Sequence, residues 1–481
     1  MAPTETTLLA MILILIPMWL GPERGIWALM VSIPLGVAAA FNLPALGNAS
    51  VMVADFVAAA VAGLVLLRLL VVERALEAPL QPFAWWILAM IVFCVFITVL
   101  GPRLYENLDL VFTMGQTRDQ EFIVRTKLEP NSKNISQLFR FGISLSIGLA
   151  IMIASPRKIS QSFLPAVIAM TAVHMVLSLL DYATFAIGRP DLLDVIRNAN
   201  YSVLYNHQIQ GMKRIIGGFA EAAAAGNFSL GLFGFWFMYW LQGGTSRFGL
   251  AFAVLTFLTV LASGSSAAFV GLALFLSIAG TSTLFQGHSK LVTRRNWLLF
   301  TAFAALPTLA VGIWIVAATN ETFSAYFDQL LFSKLESDSG VERMEWNMHA
   351  LEAAFEANLT GLGLGSIRSS NFIIACLATL GAIGSAIYLG LLTTLAVSRP
   401  IGPPTSERVI ISHACRGGCL ALLCKAIITK SSPDLEVIFF VFAAAAVLLR
   451  WPIQEAVTAA IKDRGGSSNR FGRRRSLAFG R

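Results

Sequence analysis

The stretch from Ser339 to Gly384 decides how the chain is organised. It begins SGVERMEWNMHALEAAFEAN (339–358) and continues LTGLGLGSIRSSN (359–371) before a long apolar run. Ser339 followed three residues later by Glu342 is a capping box, which predicts a helix beginning at Ser339. Four apolar residues recur at helical spacing on one face, which predicts an amphipathic surface helix. They are Met344, Met348, Leu351 and Phe355.

Three glycines end this helix and join it to the apolar run. Gly361, Gly363 and Gly365 form a loop, with Arg343 before it in the helix and Arg368 after it. The apolar run is long enough to cross a membrane. The sequence therefore predicts a surface helix tied through a glycine loop to the mouth of a membrane helix, with an arginine on either side.

Composition places the chain among helical membrane proteins. Hydrophobic residues make up 56% of the 481 residues and charged residues only 13%, about half the charged share of a soluble globular protein. Apolar runs of roughly 20 residues, the length that crosses a bilayer, recur along the chain. We expect an all-α, polytopic transmembrane bundle of about 12–14 spans, forming one domain over residues 1–450. The predicted spans are 7–20, 25–41, 51–70, 84–101, 140–155, 162–181, 227–242, 248–262, 264–281, 297–318, 371–397, 409–428 and 435–450.

Lysine and arginine predict which side of the membrane each loop faces. If the spans alternate, the basic short loops share one face, which the positive-inside rule assigns to the cytoplasm. The other face receives the N-terminus and three long loops, 102–139, 182–226 and 319–370. The basic tail, 451–481, would be cytoplasmic and attracted to anionic membrane lipid. Because the net charge of +8 comes mostly from short loops and this tail, it does not indicate nucleic-acid binding.

Motifs of soluble enzymes do not account for the chain. The glycine run follows no predicted strand and has no Walker lysine, so it is not a nucleotide-binding loop. No cluster of His, Cys or Asp has the spacing of metal ligands, and we expect neither a metal nor a cofactor. The five cysteines lie in apolar segments and are interpreted as packed thiols.

Arginines near the predicted membrane boundary suggest an anion site. A helix N-terminus offers unpaired N–H groups, and guanidinium groups bind phosphate oxygens bidentately. Arg343 and Arg368 flank the glycine loop, and Arg214 lies in the second long loop. Together these features predict a diphosphate site at the outer membrane–water boundary. A surface ion pair is the simpler interpretation of any one arginine alone.

Three short motifs lie between residues 213 and 392. The first, RIIGGFAEA, begins at Arg214 and places Glu221 just before an apolar run. The second, SGSSAAF, begins at Ser263. The third is the opening stretch itself, which ends with glycines 381 and 384.

In this order the motifs resemble those of the O-antigen polymerase/ligase superfamily of bacterial inner membranes. The family elements that they match are Arg…Gly-x-Phe-x-Glu, Thr-Gly-Ser-Arg-x-Ala, and an arginine and glycine stretch that ends in His-Asn. Two positions depart from the family. Ser266 stands in place of the arginine of the second element, and Ser370 in place of the histidine that ligases use.

The resemblance implies a glycosyltransferase at the periplasmic face of the bacterial inner membrane. Its donor would be an oligosaccharide on undecaprenyl diphosphate, and fixed cations would stabilise the diphosphate leaving group without a metal. Catalytic roles are implied for Arg214, Arg343 and Glu221, the last as general base or acceptor contact, with His207 and His349 as rival bases. Substrate binding is implied for the remaining motif residues, which are Arg368, Gly361, Gly363, Gly365, Ser370 and Asn371.

The acceptor distinguishes a polymerase from a ligase. A polymerase joins lipid-linked repeats into a surface polysaccharide or exopolysaccharide, whereas an O-antigen ligase transfers the glycan to lipid A core. Because Ser370 cannot take a proton near neutral pH as histidine can, we expect the polymerase, with a flippase and a chain-length regulator as candidate partners. A lipid-linked glycan flippase is the alternative of another class. Transporters place ionisable groups near the bilayer midplane, however, and the predicted spans contain few.

Overall fold

The computed structural model describes residues 2–44, 49–73, 80–106, 111–116, 121–200, 203–204, 208–209, 211–285 and 338–450. The predicted span 297–318 and the tail 451–481 lie outside the described residues. Thirteen helices are described, and they follow the hydropathy pattern closely. They are α1 (Thr7–Leu20), α2 (Ile26–Ser32), α3 (Val53–Arg68), α4 (Pro82–Leu104), α5 (Ser132–Ile153), α6 (Pro156–Ala186), α7 (Ala222–Leu241), α8 (Phe248–Ala262), α9 (Ser266–Phe285), α10 (Asp338–Glu356), α11 (Phe372–Val397), α12 (Glu407–Thr429) and α13 (Glu436–Leu448).

Within the described residues, six helices are long and apolar enough to cross a membrane. They are α3 with its continuation to Val71, α4, α5, α6, α11 and α12. Five further apolar helices, α13 among them, are shorter. The predicted helical membrane fold is confirmed at this level, and within the described residues six helices have full spanning length where about 12–14 spans are predicted for the chain. The extent of a single domain over residues 1–450 stays a prediction.

Short strands qualify the all-α prediction. The predicted span 25–41 is wrong at its end, because α2 stops at Ser32 and Pro34 and Gly36 interrupt the helix. Gly36 has a φ of 54°, which favours glycine. The chain then enters one of three small antiparallel sheets. The strands are β1 (Ala2–Pro3), β2 (Ala39–Leu43) and β3 (Ala49–Met52) in one sheet, β4 (Val111–Gln116) with β5 (Glu121–Thr126), and β6 (Gln208–Ile209) with β7 (Met212–Lys213).

The helix α13 lies at the centre of the bundle. Every residue from Val437 to Leu448 is buried. Its phenylalanines pack against surrounding helices, with Phe442 stacked on Phe235 of α7 at 5.3 Å between ring centroids. This continuous apolar run therefore forms the core that α5, α7 and α12 surround.

Glycines allow α7 and α12 to approach closely. A Cβ atom at Gly234 would lie 2.6 Å from the carbonyl oxygen of Gly417. A Cβ atom at Gly231 would lie 2.7 Å from the Leu422 side chain. Small residues commonly permit such backbone contact between membrane helices. The contact fixes the position of α7 relative to α12.

The segments predicted as long outward loops meet at one end of the bundle, here called the upper end. The Arg368 N–H donates to the Phe112 carbonyl, and the Ile215 N–H donates to the Ala262 carbonyl. The first two of these loops are shorter than predicted, because α4 and α6 extend into them and α5 and α7 begin early. At the opposite, lower end, Glu23 binds Arg68 and Lys158. Which compartment each end faces stays a prediction.

Candidate functional site

The glycine loop is held inside the protein by its own backbone. Gly361, Gly363 and Gly365 have φ values of 100°, 89° and 75°, a region that favours glycine. The N–H groups of Leu362 and Gly363 donate to the carbonyls of Ala378 and Thr379, both at 2.9 Å. These two backbone donors are engaged by α11, so phosphate binding by the Gly363 N–H would require the loop to move.

A break in α11 makes this pairing possible. Gly381 has a φ of 68° and a ψ of −171° inside the helix. A Cβ atom there would lie 2.4 Å from the Leu359 carbonyl oxygen. The break frees carbonyl groups of the preceding turn, which then accept from the glycine loop. The predicted substrate-binding role of the three glycines stays a prediction, and the structure gives them a role in packing.

The start of α5 supports the loop from the other side. Asn134 donates to the Leu364 carbonyl at 2.7 Å and to the Ser366 hydroxyl at 2.8 Å. Its backbone and side chain complete a capping box with Asn131. A Cβ atom at Gly365 would lie 2.6 Å from the Lys133 carbonyl oxygen. The loop is therefore fixed by α5 as well as by α11.

The Arg368 side chain, which follows the glycine loop, lies beside an aromatic ring. Its guanidinium carbon lies 4.6 Å from the centre of the Trp346 ring, a cation–π contact. The Ser370 N–H donates to the side chain of Asn347 at 2.7 Å. The Asn371 side chain caps α11 by accepting from two backbone N–H groups. Asn371 thus begins a helix, and Ser370 is buried, at 6% exposure.

The buried face of α10 differs from the predicted one. Met344 and Phe355 of the predicted apolar face are each 60% exposed. The face that packs on the protein contains Trp346, Ala350 and the alanines that follow at helical spacing. The small size of the alanines allows α10 to lie close to the start of α11. The described helix also begins at Asp338, so Ser339 lies within its first turn and is not its N-cap.

Arg214 joins the first motif to the second. Its Nε donates to the carbonyl of Ser263 at 3.0 Å, where α8 turns into α9. A Cβ atom at Gly226 in α7 would lie 2.7 Å from the Ser263 hydroxyl. The corner between α8 and α9 is thus held between Arg214 and α7.

Glu221 and Arg343 are the exposed members of the site. Glu221 immediately precedes α7, yet its side chain forms no capping hydrogen bond. Arg343 is exposed in the first part of α10. Both side chains are therefore accessible to a ligand at the upper end.

A lysine hidden in an apolar run lies near both of these residues. Lys425 of α12 is only 9% exposed. Glu221 attracts its ammonium group and Arg343 repels it, so both lie within electrostatic range. Among the residues that the structure describes, none forms an ion pair or a hydrogen bond with Lys425. Sequence reasoning missed it because one charge barely alters the hydropathy of a long span.

Further charges follow Lys425 towards the top of α13. Lys430 binds Glu436 at 2.5 Å. Burial raises the pKa of Asp434, and the Lys430 ammonium opposes that rise. The Asp55 carboxylate of α3 is attracted by the Arg140 guanidinium of α5. It is repelled by the carboxylates of Asp434 and Glu436. These charges lie at the upper end of the bundle, so the expectation of few ionisable groups near the bilayer midplane stays a prediction.

Other polar contacts are structural. Asp181 and Arg197 form a buried ion pair at 2.7 Å, whereas Arg189 and Asp191 form an exposed one at 3.0 Å. His349 lies 3.3 Å from Glu352 on the same helix. His207 lies outside the described residues.

In the part of the chain that the structure describes, no group of three His, Cys, Asp or Glu residues could hold a metal ion. The expectation of neither metal nor cofactor stays a prediction. Comparison with models of known protein families and with curated proteins gives no match.

Proposed function

We propose that the chain is a membrane glycosyltransferase that polymerises oligosaccharide repeats carried on a polyprenyl diphosphate, such as undecaprenyl diphosphate. The supporting observations are that Arg214 of the first motif donates to the Ser263 carbonyl of the second at 3.0 Å, and that the buried Lys425 is influenced by the charges of Glu221 and Arg343. Glu221 and Arg343 belong to separate motifs, and the three residues lie in or next to three different helices. Their convergence at one end of a membrane bundle suits a substrate that has a lipid anchor and an anionic head group.

The proposed chemistry needs cations more than it needs a nucleophile. The acceptor hydroxyl oxygen attacks the anomeric carbon, and the bond from that carbon to the diphosphate oxygen breaks. Negative charge then increases on the leaving diphosphate. A buried ammonium without an ion-pair partner is costly, and an anionic ligand offsets that cost. Lys425 and Arg343 would therefore stabilise the leaving group, with Arg214 and Arg368 holding its surroundings.

The test is transfer by purified protein in vesicles that contain a diphosphate-linked repeat, with products resolved by length. Arg343→Ala and Lys425→Met should each lower polymer formation by roughly 10²–10³-fold, the usual effect of removing one charge-stabilising group. Arg343→Lys should keep partial activity, because it retains the charge but loses the bidentate fork. Arg189→Ala is the matched control, since Arg189 is an exposed, upper-end arginine paired with Asp191. Wild-type activity in both Arg343→Ala and Lys425→Met would remove the basis for the site.

Metal independence is part of the proposal. A chelator should leave polymer formation unchanged, because positive side chains replace the metal in stabilising diphosphate. Loss of activity that only a divalent ion restores would contradict this part.

Polymerase and ligase differ in what a deletion strain accumulates. Loss of a polymerase leaves single repeats, whereas loss of a ligase leaves long polymer on the carrier. The buried position of Ser370 and its backbone bond to Asn347 favour the polymerase, because a ligase base there would have to reach the acceptor. Long carrier-bound polymer in the deletion strain would establish the ligase instead.

A lipid-linked glycan flippase is the second candidate, and Lys425 is the observation that favours it. Ionisable groups inside a membrane bundle often mark transport pathways. A flippase would move the diphosphate-linked repeat across vesicle membranes without lengthening it. Translocation without polymer in the purified system would support this candidate over the first.

A further inference from the structure

The top of α13 is recessed below the top of its neighbour α12. The Cys419 thiol of α12 lies 3.6 Å from the Phe439 carbonyl of α13, which fixes the level of one helix against the other. From that contact α12 continues to Thr429, a rise of about 15 Å, whereas α13 reaches only Glu436, about 4–5 Å away. Glu436 therefore lies about 10 Å below the end of α12.

The recess is open to solvent. The Glu436 side chain is 46% exposed, although every following residue of α13 is buried. A half-exposed carboxylate above an otherwise buried central helix must line an opening in the bundle. The Glu436 carboxylate is therefore accessible from this opening.

Charged groups from several elements surround this opening. Lys430 is paired with Glu436, and Lys425 is attracted by it from within α12. Arg140 of α5 also attracts the Glu436 carboxylate. Because Lys425 responds to Glu221 and Arg343 as well, the opening adjoins the proposed diphosphate site.

The backbone at Glu436 is held in an unfavourable conformation. Its φ of 73° lies in the left-handed region, which residues with a Cβ atom rarely adopt. The Asp434 carboxylate accepts the Glu436 N–H at 2.9 Å. Strained residues held in this way concentrate at functional sites. Here the conformation begins α13 with a carboxylate facing the opening.

We infer that Glu436 is the proton acceptor of the transfer reaction and that the opening above it receives the acceptor sugar. This inference rests on the proposed function. The acceptor hydroxyl gives its proton to the Glu436 carboxylate as its oxygen bonds to the anomeric carbon. The diphosphate leaves with the electron pair of the broken bond, and its charge is balanced by Lys425 and Arg343.

Glu436 suits this role better than the bases named from the sequence. His349 lies on α10, where its ring packs against Phe112 at 5.1 Å between centroids. Glu221 is exposed at the start of α7 with no described group orienting its side chain. Glu436, in contrast, is held at the opening by a fixed backbone, as a positioned base requires.

Azide distinguishes a base from a structural carboxylate, because azide attacks the anomeric carbon without losing a proton. Glu436→Gln should lower polymer formation by roughly 10²–10⁴-fold, the usual contribution of a general base. The same variant should still form glycosyl azide from the diphosphate-linked repeat at close to the wild-type rate. Glu436→Asp, which keeps a carboxylate, should recover part of the polymer formation.

Two variants control for loss of structure. Lys430→Met breaks the same ion pair but keeps the carboxylate, so it should retain far more polymer formation than Glu436→Gln. Glu407→Gln changes the exposed first residue of α12 at the lower end and should match the wild type. Loss of polymer and azide products together in Glu436→Gln, or polymer formation within a few-fold of wild type, would overturn the inference. An inactive wild type would overturn the proposed function, and this inference with it.

Discussion

Gly234→Ala tests the contact between α7 and α12 that brings Glu221 near Lys425. The new methyl group would lie 2.6 Å from the Gly417 carbonyl oxygen and from Ala421 Cβ, whereas carbon atoms pack at about 3.5–4.0 Å. The helices must therefore separate by about 1 Å. Overpacking costs about 1–3 kcal/mol, and alanine gains about 1 kcal/mol over glycine in a helix. We expect a net loss of up to about 2 kcal/mol in the free energy of helix separation.

Buried thiols provide the assay. All five cysteines are buried and none forms a disulfide bond. Reaction with a thiol reagent therefore reports opening of the helices around each one. A loss of about 2 kcal/mol raises the open fraction by roughly 30-fold, which is the upper limit of the expected effect. Labelling of Cys415 and Cys419 on α12, followed by mass spectrometry in native membranes, should accelerate by up to that factor. Cys94 on α4 should keep its wild-type rate.

Gly142→Ala is the matched control. Gly142 is also inside a membrane helix, α5, but a Cβ atom there would meet nothing within 4 Å. This variant should label at the wild-type rate or more slowly, because alanine favours the helix. Equal labelling rates of the α12 cysteines in the two glycine variants would refute the reasoning from close contact.

Three further predictions concern stability and topology. Asp181→Asn should destabilise the protein by about 3–5 kcal/mol because it leaves the buried Arg197 charge uncompensated, whereas Asp191→Asn at the exposed pair should cost at most about 1 kcal/mol. Protein level and thermal unfolding measure both variants, and equal losses of stability would contradict the prediction. Asn371→Ala should cost about 1 kcal/mol of thermal stability by removing the cap of α11, and a serine there should restore it; no loss in the alanine variant would show that the cap is dispensable. Compartment-specific reporters fused after Gly340 and after Gly402 should be active on opposite sides of the membrane. Activity of both fusions on the same side would refute the predicted alternation of the spans.

Hydropathy predicted the helices well because a long apolar run has few alternatives to a membrane or core helix. It was less successful where helices were short or interrupted, as at Pro34 and Gly36. It also chose the wrong face of α10. Methionine and phenylalanine carry more hydrophobicity than alanine, but alanines fit the narrow space beside α11, so packing selected Ala350 and Ala354.

The candidate site was predictable only where its residues stand next to one another in the sequence. Arg343 and Glu221 were found as members of short motifs. Lys425 and Glu436 were missed, because a single charge inside or beside an apolar run has no local pattern to mark it. Their proximity arises from the packing of α12 against α13, which the sequence does not state directly. The glycines were found, but their contacts with α4, α5 and α11 depend on the fold.

The contacts that hold the glycine loop also set an order of assembly during synthesis. The Tyr105 hydroxyl lies 2.6 Å from the Thr360 hydroxyl, although 255 residues separate them. Asn134 and Leu364 are 230 residues apart. At about 5–20 residues per second, the ribosome delivers the second partner roughly 10–50 s after the first. Throughout that interval α4 and α5 must wait in the membrane without the loop that later covers them. A ribosome that stalls before Gly381 would therefore leave a chain with most of its helices made. In that chain the glycine loop before Arg368 would lack its contacts with α11.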